Sequence, residues 1–322
     1  MSILSRICAG TAVALLPLLA AAQAYPNKPI RVIVAVPAGG TPDVVMRMVA
    51  PGLSNLLGQQ LVVDNRGGAG GLIGAELAAK APPDGYTLFW SAPGPLTIQP
   101  LLHKQTAYDP LSDFAPVSLV SIGPYLLLTH PSVPVKTVKE LIALAKAQPG
   151  KLNYSSAGNG STNHLATELF KNMAGVNITH VPYKGGPQAL TDAIGGHVDL
   201  TFNSIPPAAP HVKAGRLRLL GISSAKRSPL LPEVPTVSEA GVPGYEWITW
   251  FGLLAPARTP KPIVARLNAA LVEVVRTPEI KSQFEVLGYI TVGSSPEEFA
   301  TFIRAEAQSH AKAAKLSGVK VD

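Results

Sequence analysis

Two glycine-rich loops hold most of the groups in this 322-residue sequence whose types and spacing could do chemistry. The first is Pro37-Ala38-Gly39-Gly40-Thr41-Pro42-Asp43, and the second runs from Ser155 through Gly158, Gly160, Ser161 and Thr162 to His164. Each follows an apolar run and precedes a stretch of helical periodicity. Glycines there let a ligand approach the backbone, the first amides of a helix are unpaired, and serine and threonine hydroxyls can donate. That chemistry is anion capture. A third loop, Val181–Pro187, places Tyr183, Lys184 and Gly185 in the same position relative to its strand and helix. Ser91 and Asn203, at the ends of two further strands, complete the candidate ligand-binding set.

Covalent and metal chemistry have no comparable support. The sequence has no GxSxG, no HExxH and no CxxC. Its seven histidines show no metal-ligand spacing, and His197-Val198-Asp199 suggests a strand edge rather than a ligand pair. Arg66–Gly74 has glycines at 67, 68, 70, 71 and 74, but Ile73 stands where a dinucleotide loop needs its third glycine, so a tight strand–helix connection is the better reading. Neither an enzyme nor a cofactor or metal site is expected.

The elements that must position these loops alternate regularly. Ile30–Val36 is a nearly continuous β-branched run, as in a strand covered on both faces. Thr41-Pro42-Asp43 then reads as a threonine N-cap, a proline at the first helical position and an acid in the first turn. Val45, Val49, Leu53 and Leu56 continue at helical spacing until Gly58. Strands at Leu61–Val63, Thr87–Trp90, Leu152–Ser155, Ile178–Pro182, Val198–Phe202 and Leu217–Ile222 alternate with helices, which predicts an α/β fold with mostly parallel sheets. Val117–Thr129, interrupted by Gly123-Pro124, can cross between lobes, and the Pro-rich stretch Ala225–Pro235 can cross back. The expected division is a first lobe from 25–122 and 225–322, discontinuous in sequence, and a second lobe from 123–224.

Composition places this fold outside the cytoplasm. The chain is 47% hydrophobic and 15% charged, globular rather than disordered. Met1–Arg6 is a short basic start, Ile7–Ala22 is apolar, and Ala22-Gln23-Ala24 fits the small-residue rule for signal peptidase. Residues 1–24 therefore read as a cleaved signal peptide carrying the chain's one cysteine, Cys8. The context of Cys8 does not resemble a lipoprotein box. The net charge of +7 comes from scattered basic residues with no aromatic interleaving, which excludes nucleic acid as the expected partner.

The sequence resembles the periplasmic substrate-binding receptors of tripartite tricarboxylate transporters, the Bug-type receptors. The matching segments include Tyr25-Pro26-Asn27-Lys28-Pro29-Ile30-Arg31, Gly68-Ala69-Gly70-Gly71-Leu72-Ile73-Gly74-Ala75 and Pro83-Asp84-Gly85-Tyr86-Thr87-Leu88. They continue with Pro149-Gly150-Lys151-Leu152-Asn153-Tyr154, His180-Val181-Pro182-Tyr183-Lys184-Gly185 and Leu231-Pro232-Glu233-Val234-Pro235-Thr236. The resemblance implies a two-lobed periplasmic-binding-protein clamshell of type II-like architecture, each lobe a mostly parallel sheet flanked by helices. It implies closure on a small carboxylate held by the first loop and the Ser155–His164 loop, and delivery to membrane permease subunits by a monomeric receptor. Asn203 stands where relatives commonly carry an aspartate, which disfavours an amino group on the ligand. A sensor module signalling to a membrane kinase would share these signals and is the alternative reading. The exported protein should begin at Tyr25, which intact-mass analysis checks; retention of Cys8 would instead indicate a lipid-anchored form.

Overall fold

The computed structural model describes residues 25–103 and 105–317; the expected signal segment and Cys8 lie outside the described residues. Ile30–Val34 forms β1, and four of its five residues are buried, as a strand with both faces covered requires. It lies between β2 (Leu61–Asn65) and β3 (Thr87–Ser91), parallel to both. Helix α1 (Thr41–Leu57) connects β1 to β2, and α2 (Leu72–Ala79) connects β2 to β3. Val45, Val49, Leu53 and Leu57, four residues apart, are the buried stripe of α1, and Gly58 ends it in a left-handed conformation (φ 69°). The N-cap of α1 is Gly40, not Thr41 as the sequence suggests. The threonine is drawn one position into the helix, where its hydroxyl bonds Ser204 across the molecule.

After β3, a single π-turn (Gly94–Ile98) runs into the one-turn helix α3 (Gln99–Leu102). Then β4 (Phe114–Thr129) extends for 16 residues. The second lobe follows as α4 (Val138–Ala147), β5 (Asn153–Ser156), α5 (Thr162–Ala174), β6 (Thr179–Pro182), α6 (Gly186–Ile194), β7 (Leu200–Ser204), α7 (Ile205–Lys213) and β8 (Arg218–Ile222). The chain returns through β9 (Ile248–Pro256), α8 (Lys261–Arg276), α9 (Pro278–Val286), the short β10 (Ile290–Thr291) and α10 (Pro296–Ser317). The expected α/β clamshell is present, with parallel triplets β2-β1-β3 and β6-β5-β7 as the centres of its lobes.

One strand joins the lobes. Antiparallel β9 pairs with β4 from Phe114 to Pro124, while β7 and β8 pair with β4 from Tyr125 to Thr129. The crossing therefore falls at Gly123-Pro124, where the sequence shows its break. The return crossing comes later than the expected 224/225 boundary. Leu231 and Val234 pack with the second lobe near α6 and α7, and Val237, Val242, Tyr245 and Trp247 pack in its core with Phe170 and Phe202. The chain crosses back only where Ile248 meets Pro124. A Pro-rich stretch without periodicity marks irregular backbone, but only apolar burial shows which lobe it covers. A third connection is α10: Phe299 and Ile303 pack against Trp250 and Phe89, and from about two turns further on His310 and Ala313 pack in the second lobe.

Phe299 is fully buried, edge-on to Trp250 at 5.6 Å between ring centroids. Its ring fills the space over Gly252, where any Cβ would come within 2.2 Å of it. Phe299→Ala should destabilise the fold by about 3–5 kcal/mol, measured by urea denaturation.

Candidate functional site

Five helices turn their N-termini toward one cavity of about 890 Å3 between the lobes: α1 and α2 from the first, α5, α6 and α7 from the second. Their N-cap residues, Gly40, Gly71, Ser161, Gly185 and Ser204, all lie on its wall. None of the five has a side-chain cap. By contrast α4 and α9, which start elsewhere, are capped by Thr137 and Thr277. The two serines could serve as caps but are otherwise engaged: the Ser161 hydroxyl donates to Gly158 O (2.6 Å), and the Ser204 hydroxyl bonds Thr41. Prolines near the starts of α1, α6 and α7 lack N–H groups, so α5 presents the fullest set of free amides.

The rest of the wall is nearly uncharged. Among the described residues it carries Lys184, exposed at the rim, and no carboxylate. The cavity also borders Trp90, Phe251 and Tyr125. Burial pushes the Tyr125 phenol up to about 12, partly offset by hydrogen bonds with Thr249 and Thr162, so it stays protonated. The lobes touch across the cleft. Thr41 bonds Ser204, and the Pro37 ring packs so closely on Gly185 that a Cβ there would come within 2.8 Å of it. Gln99, fully buried, donates to Asn159 O (2.9 Å) and accepts from His103 Nε2 (2.9 Å). Gly70 lies against it: its φ is +63°, and a Cβ would sit 1.6 Å from Gln99 Nε2.

Of the residues singled out in the sequence, Pro37, Gly40, Thr41, Gly158 and Ser161 line this cavity, as do Thr162, Tyr183, Gly185 and Asn203. The Tyr183 hydroxyl is committed to Asp192 (2.6 Å), leaving its ring to the wall. The others lie behind or beside it. Ala38 and Gly39 are on the exposed outer turn, and Ser91 is buried with its hydroxyl on Ala92 O. Ser155 lies beneath α6, donating to Ala189 O, and Gly160 packs on Gln99. His164 faces Gly160 and His180 rather than the cavity. Asp43 is 3% exposed and holds the first loop from inside, accepting from Gly39 N (2.9 Å), Asn65 Nδ2 (3.0 Å) and Arg47 Nε (2.9 Å). Burial works against its charge, but those bonds outweigh it and hold its pKa below the ordinary value.

Comparison with known proteins bears directly on this geometry. Residues 45–317 match the model of the tripartite tricarboxylate transporter family receptor. The chain belongs to that family. The receptor is 38% identical over 301 residues to Protein BugT of Bordetella pertussis, covering 93% of this chain and 92% of that one. It is 40% identical, with a TM-score of 0.89, to an R. palustris protein solved with adipate, covering 92% and 99% of the two chains. It is 32% identical, with a TM-score of 0.85, to MatC from Rhodopseudomonas palustris with bound malate, covering 90% and 99%. Members of this family are substrate-binding receptors, not enzymes.

Sequence reasoning missed part of the receptor's wall. Gly67–Gly71, read as a mere connection, lines the cavity beside Pro37 and Pro95; Trp90 reads only as a strand residue, and Thr249 and Phe251 are not singled out at all. The glycine density before α2 was the available signal; nothing local marks the aromatics. Asp43→Ala removes three bonds from the first loop without touching the cavity wall. It should cost about 1–3 kcal/mol of stability by urea denaturation and weaken ligand binding in calorimetry.

Proposed function

We propose that this receptor works in the periplasm, capturing a small dicarboxylate without an amino group between its lobes and delivering it to the permease subunits of a tripartite transporter. The observation that carries the reading is the convergence of five uncapped helix N-termini on a cavity whose wall has no carboxylate. Each N-terminus carries roughly half a positive charge, and α5 above all adds free amide donors. They come from both lobes, so an anion with a charge at each end draws the lobes together. An ammonium group would face those same positive ends with no acid to pair with it. Family membership supports delivery to membrane subunits, and the relatives solved with adipate and malate support a dicarboxylate. The reading divides the chain as expected at 122/123, but moves the second boundary from 224/225 to beyond Trp247, because Val237, Val242, Tyr245 and Trp247 pack in the core of the second lobe.

Titration calorimetry on refolded receptor with adipate, malate, citrate, benzoate and glutamate tests the reading. Adipate or malate should bind best; failure of every carboxylate to bind defeats it. Asn203, on the wall and 7% exposed, allows a sharper test. Asn203→Asp places a negative charge in the cavity, and at about 4 Å and an effective dielectric of 20 it repels a carboxylate by roughly 4 kcal/mol. Adipate affinity should fall by up to about a thousandfold while glutamate affinity rises.

A further inference from the structure

Behind the Ala157–Asn163 loop lies a stack of three rings that the cavity does not touch. Tyr154 on β5, His180 on β6 and His164 on α5 are nearly parallel, with centroids 4.7 Å apart for Tyr154–His180 and 4.1 Å for His164–His180. Tyr154 is fully buried and His164 is 6% exposed. His164 Nδ1 lies 3.0 Å from the backbone nitrogen of Gly160. An amide N–H can only donate, so Nδ1 must present its lone pair and the ring proton must be on Nε2. The contact exists only while His164 is neutral: a proton on Nδ1 would set two donors against each other.

The bond spans the turn that leads into α5. Gly160 has a left-handed backbone (φ +68°), next to Ser161, the N-cap whose helix offers the cavity its fullest set of amides. Without a side-chain cap on α5, His164 performs from the fourth residue after Gly160 the holding that a cap would otherwise do. Ser156 Oγ, 2.6 Å from His180 Nε2, ties the start of the loop to the neighbouring ring. We propose that His164 is a positioning residue for the ligand: as a neutral imidazole accepting from Gly160, it sets the loop so that the α5 amides face the cavity.

The surroundings keep that ring neutral. Burial is the main cause, and Lys171, further along α5, adds repulsion, so its pKa is lowered to about 4. His180 is lowered to about 3, by burial first, then by His164 and Lys171, with Glu168 opposing. Lys171 pairs with Glu168 (2.6 Å), which also accepts from the Tyr154 hydroxyl (2.5 Å). Helix α10, packed along α5, brings His310, which faces Thr97 and Trp247, and Glu306, which faces His310 and Trp250; neither turns to the stack. The sign follows. A base whose pKa is lowered on folding contributes stability that is present above pH 6.5 and lost as pH falls toward 4.

The proposal rests on the carboxylate reading only for its binding arm, so the test has two parts. In ligand-free receptor, nitrogen-15 spectra should show His164 as the Nε2–H tautomer at pH 7.5. Its titration near pH 4 should coincide with a shift of the Gly160 amide resonance. A Nδ1–H tautomer at neutral pH, or a Gly160 amide that ignores the titration, overturns the proposal. With adipate as the probe, His164→Leu should weaken binding about tenfold at pH 7.5. His164→Asn, whose Oδ1 can accept at the Nδ1 position without titrating, should recover part of that loss and flatten the pH dependence. The ligand's own titration is common to all three proteins and cancels. If His164→Asn loses affinity on acidification as steeply as the parent, the positioning role is wrong. If no carboxylate binds any of the proteins, the functional reading fails while the spectra still decide the role of His164; should the variants not fold, those spectra decide it alone.

Discussion

The constraint on which this receptor depends is that orphan amides at a helix start must find a partner. Most helices solve this locally, as α4 and α9 do with Thr137 and Thr277. Of the helices here that have no side-chain cap, five begin on the wall of one cavity. The donors that local chemistry leaves unsatisfied are collected where an anion can satisfy them together. Such a site binds charge with backbone groups rather than with arginine or lysine, so it needs no long flexible side chain to be ordered and no counter-charge to be buried. It also explains why the loops are built from glycine, serine and proline, which give close approach and fixed geometry with little bulk.

Holding those loops in shape falls to buried polar residues within or behind the cavity wall. Asp43 gathers Gly39, Asn65 and Arg47 around the first loop, and Asn163 accepts from Ala157 N while donating to Phe202 O beneath the second. His164 and Gln99 press on Gly160 from two sides. In each case a buried polar group is satisfied by the loop it restrains, so loop geometry and core stability are coupled.

The route of the chain ties the two lobes together at three places. β4 runs unbroken from one sheet to the other, β9 returns beside it, and α10 spans both cores. The lobes touch across the cleft at several independent points: Thr41 on Ser204, Pro37 on Gly185, and Gln99 on Asn159. These contacts are small and lack formal charge, so each is cheap to break.

Periodicity in the sequence determined the alternating elements, because a β-branched run such as Ile30–Val34 and a spaced stripe such as Val45–Val49–Leu53 each admit one buried arrangement. It also exposed the anion loops, since glycine and hydroxyl residues between a strand and a helix have a local meaning. Only the tertiary structure decided which of those residues reach the cavity between the lobes. Ser155, Gly160 and His164 have the same local signature as Gly158 and Thr162, but Ala189, Gln99 and the ring stack claim them from behind. Likewise Trp90, Thr249 and Phe251 look like any strand core until the two sheets meet at Pro124 and leave a cavity over them. The stretch 225–247 shows the same limit: its prolines announced irregular backbone, while its attachment was fixed by Tyr245 and Trp247 finding the core of the second lobe. Local propensity is written in neighbouring residues; which surfaces face one another depends on contacts between residues a hundred positions apart.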